Sequence, residues 1–416
     1  MAKIIDIKAR EILDSRGNPT VKSTIYFDNG VYGDAAVPSG ASIGTHEASE
    51  LRDRDLKRYS GLGVLKAIHN IQTIIKPALI GFDIDKQEEV DRLMIKLDGT
   101  ANKNKLGANS ILAVSLSYAR CSAYILKLPL YKYIQKIYSD AKEIKQVIPM
   151  FNVINGGLHG CGKFNFQEFL LIPRVGLSFN DALRMGVEIY QSLKRNLKEK
   201  NFIYSVGDEG GFTPQFSTND EVLDFLITTI KESNYSYRKD VYLGLDFAAS
   251  SFYQNNFYKP TKNGKTLTKN EYINYLVTFA RKYHLYTLED GLYEDDWEGW
   301  ADLTKQLGDK AAIIGDDLLV TNKKRLQKAL SINACNGIII KPNQIGTLTE
   351  TLEVIKIARR ANFKIVISHR SGETNDDFIS DLAVGVGADF AKFGAPARGE
   401  RVIKYNRLLE IYQELK

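Results

Sequence analysis

The sequence predicts an α/β architecture: a modified, TIM-like (β/α)8 barrel in the C-terminal part, preceded by an N-terminal α+β domain of a three-stranded meander plus helices. Three observations predict it. The chain has 416 residues, beyond the roughly 250–300 at which one hydrophobic core stops growing. Its texture changes near residue 139, from long strand-like and helix-like segments to short apolar runs separated by helical stretches. Most of those runs also carry a charged or titratable residue at one end.

In the first part, Ile4 to Leu13, Thr20 to Phe27 and Val31 to Val37 have strand character, and Asp28-Asn29-Gly30 supplies a tight turn between the last two. Helical periodicity follows in Val64 to Ile80, Lys86 to Leu97 and Ala108 to Leu126. Strands followed by helices make an α+β unit. It is expected to span residues 1–138, with a small, flexible lid loop at 37–45. The barrel is expected over 139–416, beyond the polar stretch Ser139 to Lys145.

The barrel runs are Ile148 to Val153, Phe166 to Ile172, Val241 to Leu245, Tyr286 to Leu288, Ala312 to Ile314, Gly337 to Ile340, Lys364 to Ile367 and Asp389 to Phe393. Their spacing fits the roughly 30 residues per βα unit of a barrel of about 250 residues. The first connection is too short for a helix, so an irregular opening is expected. The strands are expected to end in Glu168, Asp246, Glu289, Asp316, Lys341, His369 and Lys392. Strand ends of a barrel converge on one face, where barrel enzymes place their chemistry. One such residue alone reads as a helix cap; seven in register, of both signs, read as a site.

Composition excludes several classes. Apolar residues make up 44% and charged residues 25%, an ordinary soluble balance. The net charge of +6, from 56 basic and 50 acidic residues, is spread too diffusely to define a nucleic-acid groove. Cys121, Cys161 and Cys335 form no C-x-x-C pair, which argues against a disulfide framework or zinc site and suits a reducing cytoplasm. The N-terminus is charged too early for a signal peptide. Ile111 to Leu130 contains Arg120 and Lys127 and reads as a buried helix, not a membrane span.

Asp246, Glu289 and Asp316 offer only oxygen, from three successive strands, and a hard-oxygen set favours Mg²⁺. Crowded carboxylates repel one another without a cation; pairing with arginines or lysines is the plainer alternative. Strand alternation allows only one of Asp316 and Asp317, and one of Glu289 and Asp290, to face the barrel mouth. Lys341 follows the apolar Gly337 to Ile340, and burial near cations can tune a lysine to a pKa of roughly 7–8, fit for proton removal. Glu209 sits in the glycine-rich turn Gly207-Asp208-Glu209-Gly210-Gly211; a like charge, with Glu168 the candidate, would keep it protonated. His369-Arg370-Ser371-Gly372 follows the penultimate strand, where barrels commonly hold phosphate. Pro38 to Gly44 is small and flexible enough for a lid.

Taken together these segments resemble the enolase family over essentially the whole chain. The matching stretches are Leu13 to Thr20, Pro38 to Gly44, Leu106-Gly107-Ala108-Asn109, Asn155-Gly156-Gly157, Gln167-Glu168-Phe169, Gly207 to Gly211, Asn343 to Thr347 and Ser368 to Thr374. The resemblance implies Mg²⁺-dependent dehydration of 2-phosphoglycerate to phosphoenolpyruvate by a cytoplasmic homodimer or higher homo-oligomer. It further implies Lys341 as base, Glu209 as acid and Asp246, Glu289 and Asp316 on the first magnesium, with Ser42 reaching a second, substrate-dependent one. His159, Gln167, Glu168, His369, Arg370, Ser371 and Lys392 would surround the substrate. Matching Gly315 to Leu318 to the family motif favours Asp316 over Asp317.

Departures from the family pattern are Gly291, where proline is usual, Ser251, where glutamate is common, and Phe393, where threonine is usual. Phe393 should point opposite to Lys392 and pack outward. Gly160-Cys161-Gly162-Lys163 is unlike the usual loop and bears on His159; the basic composition is also unusual. A non-catalytic binding protein or another lyase or racemase of the superfamily are the competing readings. Loss of Lys341 or Glu209 would favour the first, and both are present.

Overall fold

The computed structural model describes residues 2–40, 46–140, 144–160 and 163–415. The lid positions 41–45, with Ser42, lie outside the described residues, as does Cys161.

The N-terminal meander consists of β1 (Ile4–Leu13), β2 (Pro19–Phe27) and β3 (Tyr32–Ala36), paired antiparallel in that order. Gly30 N–H donates to Phe27 O at 3.1 Å, closing the expected turn. Alternation buries Val21, Ser23, Ile25 and Phe27 of β2. Against that sheet lies the helix Ala108–Ile125, where Ser117 Oγ donates to Ser23 O at 3.0 Å. This helix is the apolar stretch expected to be buried, and nearly all of it is. It turns by 105° into Leu130–Tyr138; among the described residues no single helix is long and apolar enough to cross a membrane.

The C-terminal part holds β4 (Ile148–Asn155), β5 (Glu168–Pro173), β6 (Val241–Asp246), a small hairpin of β7 (Tyr253–Gln254) and β8 (Phe257–Tyr258), then β9 (Thr287–Glu289), β10 (Ala312–Gly315), β11 (Gly337–Ile340), β12 (Lys364–Ser368) and β13 (Phe390–Lys392). All but the hairpin close one barrel in the order β10-β11-β12-β13-β4-β5-β6-β9. Most neighbours are parallel, but β5 runs antiparallel to both β4 and β6. Among the described residues its connection from β4 holds one 3-10 turn, Gly157–His159, and the connection is too short to carry the chain back to the other end. Glu168 therefore begins its strand instead of ending it, a correction to the expected pattern. Because β5 is reversed, that beginning lies at the same rim as the ends of the parallel strands.

One interior cluster fixes the inward face of six barrel strands, β4, β5 and β10 to β13. Met150, Leu170, Ile172, Ile314, Ile339, Val366 and Phe390 fill the barrel. Moving two residues towards the rim keeps the side-chain face. Met150 leads to Asn152, Leu170 to Glu168 against the chain direction, Ile314 to Asp316, Ile339 to Lys341 and Phe390 to Lys392. Phe393 has the opposite parity and packs outward, its ring 5.8 Å from that of Tyr405 on the helix Gly399–Glu414. The ordering expected from Phe393 thus holds.

The two parts join beside this rim. Ser39 and Gly372 exchange backbone hydrogen bonds at 2.8 and 2.9 Å, and Ala48 N–H donates to Gln344 O at 2.8 Å. The described chain on either side of positions 41–45 is thereby tied to loops of the barrel.

Candidate active site

Glu168, Asp246 and Glu289 are register neighbours on β5, β6 and β9. Their carboxylates converge on Lys392 Nζ, which lies 3.1 Å from Glu168, 3.3 Å from Asp246 and 2.7 Å from Glu289. All four residues are buried. Burial opposes a charge on Lys392, but Glu168, Glu289 and Asp246 outweigh it and hold the amine well above its ordinary value. Burial, then Asp246, pushes Glu289 up to about 8. One ammonium does not neutralise the carboxylates around it.

One strand further round, Asp316 accepts from Lys341 Nζ on Oδ2 and from Gln344 Nε2 on Oδ1 at 3.3 Å. The expectation for Lys341 was a lowered affinity for its proton. Burial does act that way, yet the contact with Asp316 outweighs it and raises Lys341. Asp290 takes a different part: its oxygens accept from the backbone N–H groups of Asp316 and Asp317 at 2.9 and 2.7 Å. It fastens the end of β10 while Glu289 faces inward.

Glu209 arrives from the β5–β6 connection. Its carboxylate accepts from Asn152 Nδ2 at 2.9 Å and Ser371 Oγ at 2.8 Å, with His159 Nδ1 at 3.7 Å and His369 Nε2 at 3.9 Å. Burial raises its proton affinity, but His159 and the cations beyond it prevail and hold it well below the ordinary value. Glu168 goes the other way, pushed up by burial and then by Glu209. The expected like-charge repulsion is present; its direction is reversed, because the donors surround Glu209 and leave the proton to Glu168.

Arg370 is gripped by Glu47 at 3.0 and 3.2 Å and by Asn343 Oδ1 at 3.1 Å. A cavity of about 270 Å³ is bounded by His159, Gln167, Glu168, Glu209, Asp246, Asp316, Lys341, His369, Arg370, Ser371 and Lys392. It is small and highly charged, suited to a compact polar anion and not to an extended apolar ligand.

Residues 4–134 match the family described as "Enolase, N-terminal domain". Residues 144–416 match "Enolase, C-terminal TIM barrel domain". The chain belongs to the enolase family. This membership accounts for both halves of the fold and supports enolase-superfamily function on a small-molecule substrate.

The acidic residues of this enolase-family chain fit a cation. Glu289 Oε2 is buried and lacks a hydrogen-bond partner, a costly state that a metal ion would relieve. Two compact groupings of possible ligand atoms occur among the described residues, His159-Glu168-Glu209 and Asp290-Asp316-Asp317. The second shares only Asp316 with the expected set. Asp290 is committed to backbone N–H groups although it lines the cavity, as Asp246, Asp316 and Asp317 also do. Glu289 is fully buried against Lys392 and is not among the residues that bound the cavity.

Asn152, Glu47, Gln344 and Arg401 also build the site and were not singled out by sequence reasoning. Asn343-Gln344 lay within a quoted motif, so part of that signal was available. Asn152 is hidden in an apolar run and Arg401 in a helix of mixed charge.

Proposed function

We propose that this chain catalyses the reversible, Mg²⁺-dependent dehydration of 2-phospho-D-glycerate to phosphoenolpyruvate. The observation that supports it most is that Lys341 and Glu209 border one cavity from separate elements, with Lys392 and a ring of carboxylates between them. Elimination needs this separation: a base on the carbon that loses hydrogen and an acid at the departing hydroxyl.

Asp246, Glu289 and Asp316 would hold the first Mg²⁺, and Ser42 a second. When bound, the metal supplies positive charge that stabilises the negative charge gathered on the substrate carboxylate. A cation held by Asp316 would offset the carboxylate charge that raises Lys341, so that Lys341, its own proton released to solvent, would accept the one from C2. Lys392 adds a fixed cation in a water-poor site. Arg370 and Ser371 face the phosphoryl group, with His159 and Gln167 closing the wall. Glu209 would give a proton to the leaving hydroxyl, taking one from the neighbouring Glu168, whose proton affinity is raised by burial and then by Glu209.

The direct test is conversion of 2-phosphoglycerate by purified protein, followed by phosphoenolpyruvate absorbance. Turnover with Mg²⁺ that stops with EDTA is expected. No product at saturating substrate and metal would overturn the reading.

A further inference from the structure

Arg401 lies in the first turn of the helix Gly399–Glu414, and an arginine is ordinarily solvent-exposed. It is instead fully buried. Its guanidinium donates to Arg370 O at 2.6 Å, Ser371 O at 2.6 Å, Asp208 O at 2.9 Å and His369 Nδ1 at 2.7 Å. Three of these acceptors belong to the loop after β12 and one to the loop that carries Glu209. Glu400 is its nearest carboxylate, 3.5 Å from Nε.

A guanidinium has donors only and does not lose its proton in proteins. The contact with His369 Nδ1 therefore requires that this nitrogen be bare, which places the ring proton on Nε2. That nitrogen faces Glu209 Oε2 at 3.9 Å and borders the cavity. The charged groups around the ring are Arg401, Glu209, Lys392 and Lys341. The junction has no slack: a Cβ added to Gly394 would stand 3.0 Å from both His369 Cε1 and Arg401 Cδ.

We infer that Arg401 is a positioning residue, one that holds His369 as the Nε2–H donor towards Glu209 and the substrate while binding the His369–Ser371 and Glu209 loops into one unit. The role in turnover rests on the dehydration proposed above; the tautomer does not. With Nδ1 occupied, His369 acts as a fixed hydrogen-bond donor, not as an acid or base. A purely structural arginine would leave the ring tautomer free of it.

The chain has five histidines, few enough for ring ¹⁵N NMR of the full-length protein, with His369→Gln used to assign the signals. At pH 7.5 without substrate, wild type should show a bare Nδ1 and a protonated Nε2 at His369. A proton on Nδ1 overturns the inference, whatever the variants do. Arg401→Met should give a mixed tautomer and a kcat lowered roughly 10- to 100-fold, the scale of a misplaced reacting group, with KM changed far less. Arg401→Lys, which restores one donor, should recover the Nε2–H form and part of kcat. An Arg401→Met protein with unchanged tautomer and unchanged kcat also overturns it. Should that variant not fold, the wild-type tautomer and the lysine variant still decide. Absence of turnover in wild type would count against the proposed reaction, while the substrate-free tautomer is read independently.

Discussion

Lys341 donates to Asp316 across the adjacent strands β11 and β10, and the same carboxylate accepts from Gln344 on its other oxygen. Asp317, next in sequence, has its backbone N–H tied to Asp290, as Asp316 also has, but it is the Asp316 carboxylate that takes the Lys341 and Gln344 donors. Register explains the difference, since Ile314 fills the barrel and Asp316 shares its face. Asp316→Asn should therefore lower Mg²⁺ affinity and turnover further than Asp317→Asn, which should cost about 10–100-fold, as for supporting residues around metals. Titration calorimetry and steady-state rates on both variants check this. A larger loss of metal binding in Asp317→Asn would reject the assignment.

Base and acid can be separated by isotope exchange. Lys341→Ala is expected to abolish both dehydration and exchange of the substrate C2 hydrogen with solvent. Glu209→Gln should block dehydration and retain exchange, because proton removal precedes loss of the hydroxyl. Mass spectrometry of recovered substrate in D₂O reads the outcome. Equal exchange in the two variants contradicts the roles.

The sequence made the strands and their order legible because alternation and short apolar runs directly reflect burial on a sheet face. β1 was read with its observed ends, and the expected barrel runs coincide with the observed strands to within a residue or two. Direction is only partly legible: the short β4–β5 connection predicts an irregular opening, but nothing within β5 itself marks it as reversed, so Glu168 is expected at the wrong end of it. Partnerships were harder still. The raised Lys341 and the low Glu209 follow from Asp316 and from the donors Asn152 and Ser371, which approach from distant positions. Asn152 and Arg401 carried no signal, because an amide in an apolar run and an arginine in a helix of mixed charge look like ordinary structure.

Glu168 and Glu209 should respond to pH in opposite senses. Glu209 lies below the ordinary value of 4.5 in the folded chain, so it contributes stability above about pH 4.5 that is lost as pH falls through its folded value. Glu168 lies above 4.5, so its effect is fully present below about pH 4.5 and is lost as pH rises. Relative to wild type, Glu209→Gln should thus be more destabilising at pH 7.5 than near pH 3, and Glu168→Gln more favourable at the higher pH. Denaturant melts of metal-free protein at both pH values measure the four differences. Parallel shifts for the two variants would refute the division of the proton.

Metal should stabilise the fold as well as activate it. Glu289 Oε2 lacks a partner, and a cation binding only the folded chain adds about 2.7 kcal/mol at a hundredfold excess over Kd. The thermal midpoint should rise with Mg²⁺ and fall back with EDTA. Asp246→Asn should flatten that response. An unchanged midpoint across a saturating titration would place the ion elsewhere or nowhere.

Gly394 offers the sharpest test of how tightly the site is built. Its φ is +89°, and an added Cβ would meet Glu209 O at 2.7 Å as well as the Arg401 and His369 side chains at 3.0 Å. Gly81 has a similar φ of +85° with nothing within 4 Å, so it isolates the backbone cost. Gly81→Ala should lose about 1–2 kcal/mol of stability, the penalty of a left-handed conformation for an L-residue, with kcat unaffected. Gly394→Ala adds a clash with a backbone oxygen, which cannot swing aside as a flexible side-chain end can. The carbonyl belongs to Glu209 itself, so relief of the clash must shift the acid, the His369 ring or both. Gly394→Ala is therefore expected to lose more stability than Gly81→Ala and, in addition, roughly 10- to 100-fold in kcat. Urea denaturation and steady-state kinetics on the pair separate the two effects. If Gly394→Ala loses stability only to the extent of Gly81→Ala and keeps its kcat, the junction of Glu209, His369 and Arg401 is looser than its distances indicate.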